Sequence, residues 1–345
     1  MEDGPTEDPE NRRQRDSHFS SRRLILSLKI LLALVLALGV LFGFYNVINA
    51  TYLNRRISRF FPHNWVNLDE DKNAVETASK TGDNRPVLRV AVAPIFSPEK
   101  SPEMYQNFVD YVAEKMGRKP VSIYRPSYSA TNDLVRYQRC DIAIVCTYPF
   151  IRGEREFGMQ ALVVPRIKGE TTYQSLIIVP QSSTAKSLFD LHGKRFGSAD
   201  IVSTTGWLFP AMTLMQAGDD PRHFFGEHII TGSHDKSIQA VIDGFVDGAA
   251  VHGIVYDLMV AEDPSILKKI KILAKSPPFG IPPIVAHPAL DPNLRKEAVS
   301  VLLNMDKDPR GRIILDKLQI ESFVVPGKGL FDDLRRAISK LEGWK

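Results

Sequence analysis

The distribution of apolar positions divides the chain into two unequal parts. From Leu24 to Ile48 the sequence reads LILSLKILLALVLALGVLFGFYNVI, with Lys29 its only charge. Ile30 to Ile48 is 19 residues without a charge, long enough as a helix to span a hydrocarbon core of about 30 Å. Lys29 lies near one end, where its stem reaches the headgroups. A buried core helix would have to be apolar on every face, so the run reads as a membrane segment. It exceeds the roughly 7–15 apolar residues usual in a cleaved signal peptide. No A-x-A site follows and no cysteine stands nearby to carry a lipid, which favours an uncleaved anchor. Arg12, Arg13, Arg15, Arg22 and Arg23 precede the run against Arg55, Arg56 and Arg59 after it. That excess favours a cytoplasmic leader, although charge alone leaves the side of the remaining chain open.

After a spacer over 49–85, basic and aromatic at first and polar later, short apolar runs alternate with helical patterns. VLRVAVAP, VSIYRP and DIAIVCT have the length and β-branched content of strands. PEMYQNFVDYVAEKMG between the first two carries apolar residues at helical spacing and stops at Gly117. ALVVPRI and YQSLIIVP continue as strands, then a short helix around Leu188, the strand KRFGSAD and the helix TGWLFPAMTLMQAG, stopped by Gly218. HIITG, SIQAVIDG, DGAAVHG and a helix around Tyr256 repeat the unit; KIKILAKS and PPIVAH read as strands. Three helices close the chain: LRKEAVSVLLNM, GRIILDKL and one from about Leu330. This βαβα alternation predicts an α/β protein with mostly parallel sheets flanked by helices.

Composition adds limits. The formal charge of +4 on 345 residues gives no global field of the kind nucleic acid requires. The two cysteines, Cys140 and Cys146, bracket the strand DIAIV, which separates their Cα atoms by about 20 Å at roughly 3.3 Å per residue. A disulfide needs about 7 Å or less, so the two do not bridge. P-loop, GxSxG and HExxH signatures are missing from the sequence. His223, His228 and His234 have poor spacing for a metal.

Candidate chemistry concentrates at strand–helix junctions, where open α/β sheets bind ligands. Ser203, Thr204 and Thr205 precede Gly206 and an amphipathic helix. The first N–H groups of a helix lack internal partners and the dipole there is positive, so a hydroxyl-rich turn at that end suits a tetrahedral oxyanion without a basic side chain. Serines and threonines at a helix start also serve simply as caps. His234, in TGSHD, occupies a second such junction and can donate to a ligand oxygen. Tyr128 and Tyr148 follow two further strands; a phenol can donate to an oxyanion while its ring covers an alkyl group.

In this order, LRVAVAPIFSPEKSPEMYQNFVDYVAEKMG, the Tyr128 loop, DIAIVCTYPFI, STTGWLFPAMTLMQAG and TGSHDKSIQAVIDGFVDGAAV resemble the phosphonate-binding, PhnD-type receptors of ABC transporters. The resemblance runs from about Leu88 to Pro283. It implies a two-lobed type 2 periplasmic-binding-protein fold, with lobe one over 86–178 and 275–345 and lobe two over 179–274. The strand runs then suggest crossings near Val179 and Ala274. Ahead of the lobes stand a cytoplasmic leader (1–23), a transmembrane anchor (24–48) and a linker (49–85). The implied protein is no enzyme and uses no cofactor or metal. Ser203, Thr204, Thr205 and His234 would hold phosphoryl oxygens from one lobe, with Tyr128 and Tyr148 facing them from the other. Its partners would be a small phosphorus oxyanion (phosphate, phosphite or a simple phosphonate), the membrane, and an ABC permease or, alternatively, a sensor kinase. The localisation implied is the bacterial inner membrane, with a single pass and the lobes in the periplasm.

The sequence departs from the family pattern where receptors for aminoalkylphosphonates carry two carboxylates. By register, those positions hold Ile254 and Pro282, so a ligand ammonium would lack a counter-charge. Asp247 in VDGAAV reads as a cap at the strand's start rather than a ligand contact. Some proteins of this fold make the thiamine pyrimidine from a histidine and pyridoxal phosphate. That chemistry needs a Schiff-base lysine in the cleft, and only Lys236 lies close to His234 in sequence.

Overall fold

The computed structural model describes residues 84–342. The leader, the anchor and the linker up to residue 83 lie outside the described residues. Among the described residues no helix is long and apolar enough to cross a membrane.

The chain begins with β1 (Val87–Val92), α1 (Lys100–Lys115), β2 (Lys119–Tyr124), α2 (Tyr128–Arg136), β3 (Ile142–Ile144), α3 (Thr147–Phe157) and β4 (Gln160–Arg166). After the two-residue β5 (Thr172–Tyr173) come β6 (Ser175–Pro180), a 3-10 turn (Leu188–Leu191) and β7 (Arg195–Ser198). A π-helical turn (Thr204–Leu208) opens α4 (Phe209–Gln216). Then follow α5 (Pro221–Phe224), β8 (Glu227–Ile230), α6 (His234–Ile242), β9 (Gly248–His252), α7 (Gly253–Glu262), α8 (Ile266–Lys269) and β10 (Ile270–Lys275). The chain closes with β11 (Phe279–Gly280), β12 (Ile284–Ala286), α9 (Pro292–Leu303), a 3-10 turn (Met305–Lys307), α10 (Pro309–Lys317), β13 (Ser322–Val324) and α11 (Asp332–Glu342).

Lobe one holds a six-stranded sheet in the order β13-β4-β12-β3-β1-β2, and lobe two a five-stranded sheet in the order β10-β6-β9-β7-β8. β5 and β11 pair antiparallel as a ribbon between them. The sheets are mixed rather than mostly parallel. Each βαβ unit gives a parallel pair: β1 with β2 and β3, and β7 with β8 and β9. The strands next to the crossings run the other way: β12 against β3 and β4, and β6 against β9 and β10. The crossing expected near Val179 lies earlier. Ladder bonds to β9 and β10 hold β6 in the second sheet from Ser175 onward, so the chain changes lobe around the β5·β11 ribbon. β13, three residues between helices, is an element the hydrophobic pattern did not reveal.

The two halves repeat one device. Arg89 on β1 donates from its guanidinium to Asp141, just before β3, at 2.7 Å, and its backbone N–H donates to the same carboxylate at 2.7 Å. Arg195 on β7 grips Asp247, just before β9, in the same way at 2.8 and 2.9 Å. That hydrogen-bonded pairing lowers the pKa of Asp247 and fixes the carboxylate to the strand.

The first core lies between the lobe-one sheet and its helices. Leu88, Val90 and Ile142 meet Phe108 and Val112 of α1, and Leu302 and Leu315 of α9 and α10 close the layer. α9 and α10 thus pack in lobe one. Asp291 caps α9 and Asp308 caps α10 through their side chains, each with Pro in the first turn. Gly117 and Gly218, both with positive φ, end α1 and α4 where the sequence placed stops.

Candidate functional site

Where the lobes meet, the structure brings the six sequence-predicted residues into one buried cluster. Ser203 caps the π-helical turn: its Oγ accepts from the Gly206 N–H at 3.0 Å. A Cβ on Gly206 would sit 3.0 Å from that Oγ and 3.2 Å from the Ala199 nitrogen, so a larger residue here would push against the turn by a few tenths of an ångström. Thr204 and Thr205 begin the turn and are fully buried. Thr204 Oγ1 accepts the Tyr148 backbone N–H across the lobes at 2.8 Å and lies 3.3 Å from Cys146 Sγ. The carbonyl of Thr205 accepts from Ser175 Oγ at 2.6 Å.

His234 is the junction of the cluster. Its backbone N–H, the first of α6, donates across the lobes to the Ile95 carbonyl at 3.1 Å. Its Nδ1 accepts the His252 backbone N–H at 3.2 Å. Burial, and then the neighbouring His252 imidazole, push its pKa well below the ordinary value. A neutral ring whose Nδ1 accepts carries its proton on Nε2. That Nε2 faces the Tyr128 hydroxyl at 3.2 Å and Ser203 Oγ at 3.4 Å. Tyr128 supplies its phenol from lobe one, and Tyr148 contributes its backbone N–H.

Further members escaped the sequence reading. Asp200 accepts from the Tyr128 N–H at 3.0 Å, and Asp235 accepts from the Ser97 N–H at 2.9 Å. Both carboxylates reach from lobe two to lobe one and both are buried. They hold the lobes together more firmly than the exposed pairs Lys100–Glu262 and Lys168–Asp257, because such pairs typically contribute well under about 1 kcal/mol. Tyr173 packs its ring 4.5 Å from that of His252, and the His252 ring lies 5.6 Å from that of His234. The Thr205 and Ser233 hydroxyls and His252 Nδ1 are buried without a hydrogen-bond partner among the described residues. Buried polar atoms of that kind are uncommon and carry a desolvation penalty until something bonds to them.

Other residues fall elsewhere. His223 pairs with Asp220 at 2.9 Å, and His228 stacks on Trp207 and bonds to Ser198. Lys236 faces Glu99 at 3.7 Å. Both cysteines are free and buried. Burial raises the thiol of Cys146 and pushes that of Cys140 up to about 12, so neither is a reactive thiolate.

Two α/β lobes joined by a short ribbon, with helix starts and neutral hydrogen-bond donors gathered between them, define a cleft-binding receptor rather than a hydrolase. The family of ABC-transporter phosphonate periplasmic substrate-binding proteins matches residues 90–328, and the chain belongs to it. Its members are binding components, not enzymes. The phosphonates-binding periplasmic protein of Escherichia coli (strain K12) is 26% identical over 216 residues, covering 61% of this chain and 64% of that protein. A probable ABC transporter phosphite binding protein, PhnD1 of Prochlorococcus marinus (strain MIT 9301), is 27% identical over 176 residues, covering 48% of this chain and 59% of that one. The matched stretch thus spans less than two thirds of either relative. Among solved structures, a binding protein component of an ABC phosphonate transporter from Pseudomonas aeruginosa aligns with a TM-score of 0.70 at 19% identity, over 75% of this chain and 87% of that one. PhnD1 of Prochlorococcus marinus in complex with methylphosphonate aligns at 0.66 and 22% identity, over 74% and 98%. These likenesses establish a type 2 periplasmic-binding-protein fold.

Proposed function

We propose that this chain is a membrane-anchored receptor that captures a small phosphorus oxyanion between its lobes and presents it to an ABC permease. Phosphate, phosphite and small uncharged-tail phosphonates form the ligand range. The anchor is the 24–48 segment, with a cytoplasmic leader before it and the lobes on the periplasmic side of the inner membrane. The observation that carries the reading is the pair of buried, unpartnered hydroxyls, Thr205 and Ser233, which belong to the same two helix starts as Ser203 and His234. Neutral donors at two helix N-termini suit an anion that brings its own acceptors. Ser203, Thr204, Thr205 and His234 donate from lobe two, and Tyr128 and Tyr148 close on the ligand from lobe one. Family membership and the methylphosphonate complex of PhnD1 support the same ligand class.

Calorimetric titration of the full-length chain with phosphate, phosphite, methylphosphonate and 2-aminoethylphosphonate tests this. One of the first three is expected to bind at micromolar affinity or tighter, and Thr204→Ala is expected to weaken it at least tenfold, about 1.4 kcal/mol. That substitution leaves the Tyr148 N–H without its acceptor at the point where the lobes meet. The 2-aminoethyl compound is expected to bind at least tenfold more weakly than methylphosphonate, since Ile254 and Pro282 offer its ammonium no counter-charge. Sub-micromolar affinity for it would overturn the proposed ligand range, and silence toward all four would overturn the receptor reading.

A further inference from the structure

Beside the polar cluster lies an apolar chamber of about 90 Å³. Ile144 and Phe323 of lobe one form part of its wall, and Ile254 and Leu258 of α7 in lobe two form another part. Its lining contains no charged residue. Two residues belong to both the chamber and the cluster. Ile95 lines the chamber while its carbonyl accepts from the His234 N–H. His252 lines it while its N–H donates to His234 Nδ1. His252 is 6% exposed, and its Nδ1 is buried without a partner among the described residues. Ile254 and Pro282, the two positions where the sequence lacks carboxylates, both line this chamber.

We propose that the chamber receives the organic tail of the bound oxyanion, and that this tail is an uncharged alkyl or aryl group of several carbons. The inference rests on the oxyanion reading above and specifies the rest of the ligand. Walls drawn from both lobes mean that the tail is enclosed as the lobes come together. Burial of each methylene then favours the bound state. A charged substituent would be desolvated there without a partner. His252, which lines the chamber and bonds to His234 in the cluster, carries a buried Nδ1 without a partner among the described residues. A tail with a hydrogen-bonding atom close to the head would satisfy it.

The test compares methylphosphonate, n-butylphosphonate and phenylphosphonate on the full-length chain in lipid nanodiscs, with empty nanodiscs as the blank. At roughly fourfold per buried methylene, n-butylphosphonate is expected to bind on the order of fifty-fold more tightly than methylphosphonate, with phenylphosphonate also favoured. Leu258→Trp, which fills the chamber, and Ile254→Asp, which places a charge in it, are each expected to remove most of that gain. The readout in each variant is the ratio of n-butylphosphonate to methylphosphonate affinity, which is expected to fall from about fifty toward one. Methylphosphonate binding with no gain for the longer tails overturns the chamber assignment and leaves the oxyanion reading standing. A gain that survives both substitutions also overturns it, because the tail then lies elsewhere. Silence toward all three ligands overturns the oxyanion reading, and the tail assignment with it.

Discussion

A His234→Ala chain is expected to lose phosphorus-oxyanion affinity by roughly ten- to a hundredfold, together with measurable stability. The imidazole accepts from the buried His252 N–H and presents Nε2 toward Tyr128 and Ser203. Truncation strands that N–H, at about 1–3 kcal/mol for an unsatisfied buried donor. It also opens space beside a side chain that is 0% exposed. A lost hydrogen bond to a charged ligand accounts for a further 1.5–3 kcal/mol or so. His234→Asn separates the two effects. Its carbonyl can accept the His252 N–H while its shorter side chain cannot reproduce Nε2, so stability should recover more than binding. Thermal unfolding and calorimetry on the three chains measure both quantities. Alanine affinity within threefold of wild type would remove His234 from the site.

The second large effect is on stability in acid. Burial drives His228 down to about 4 and His252 down to about 3, and His234 lies well below its ordinary value. In the unfolded chain all three titrate near 6.5. Above that pH neither state binds these protons and stability is flat. As pH falls below 6.5 the unfolded chain takes up protons that the folded one refuses, so stability declines until the folded values are reached. Each group contributes up to about 1.4 kcal/mol per pH unit. By pH 5 His228 and His252 together account for on the order of 4 kcal/mol, and His234 acts in the same direction. Carboxylates held low by partners, such as Asp247 beside Arg195, lose their contribution only at lower pH, below about 4, so the two windows separate. Thermal unfolding between pH 7.5 and 4.5 should show the midpoint falling steeply below pH 6, and His228→Gln should blunt the fall. A midpoint unchanged down to pH 5 would contradict the buried neutral histidines.

The division between what local pattern reveals and what only tertiary pairing decides is visible in particular segments. VLRVAV and KSPEMYQNFVDYVAEK are legible because each is buried along a period its own residues set. YQSLIIVP read as one strand, yet Tyr173 pairs in the ribbon and Ser175 opens β6 in the other lobe. No local signal marks that change, because the pairing partners, Phe279 for Tyr173 and His252 for Ser175, lie far along the chain. Strand direction is likewise a property of the crossings, which is why mostly parallel sheets were expected and mixed ones are found. At the site, the hydroxyl turn and His234 were legible from their junctions. His252 was not, for it ends an apolar strand, GAAVH, and gains its meaning only from folding against a ring 18 residues earlier. Asp200 and Asp235 look like ordinary polar residues near helix starts until the other lobe supplies the N–H groups they accept. Ser233 sat inside the segment singled out for His234, and only its buried, unpartnered hydroxyl distinguishes it.

The most direct test of the central claim is a crystal structure of the chain grown with methylphosphonate. The account predicts phosphoryl oxygens within hydrogen-bond distance, about 2.7–3.1 Å, of the Thr204 and Thr205 N–H or hydroxyl groups and of His234 Nε2, with the methyl group directed toward His252. Methylphosphonate seated anywhere else, or held by a lysine or arginine side chain in place of that turn, would contradict it.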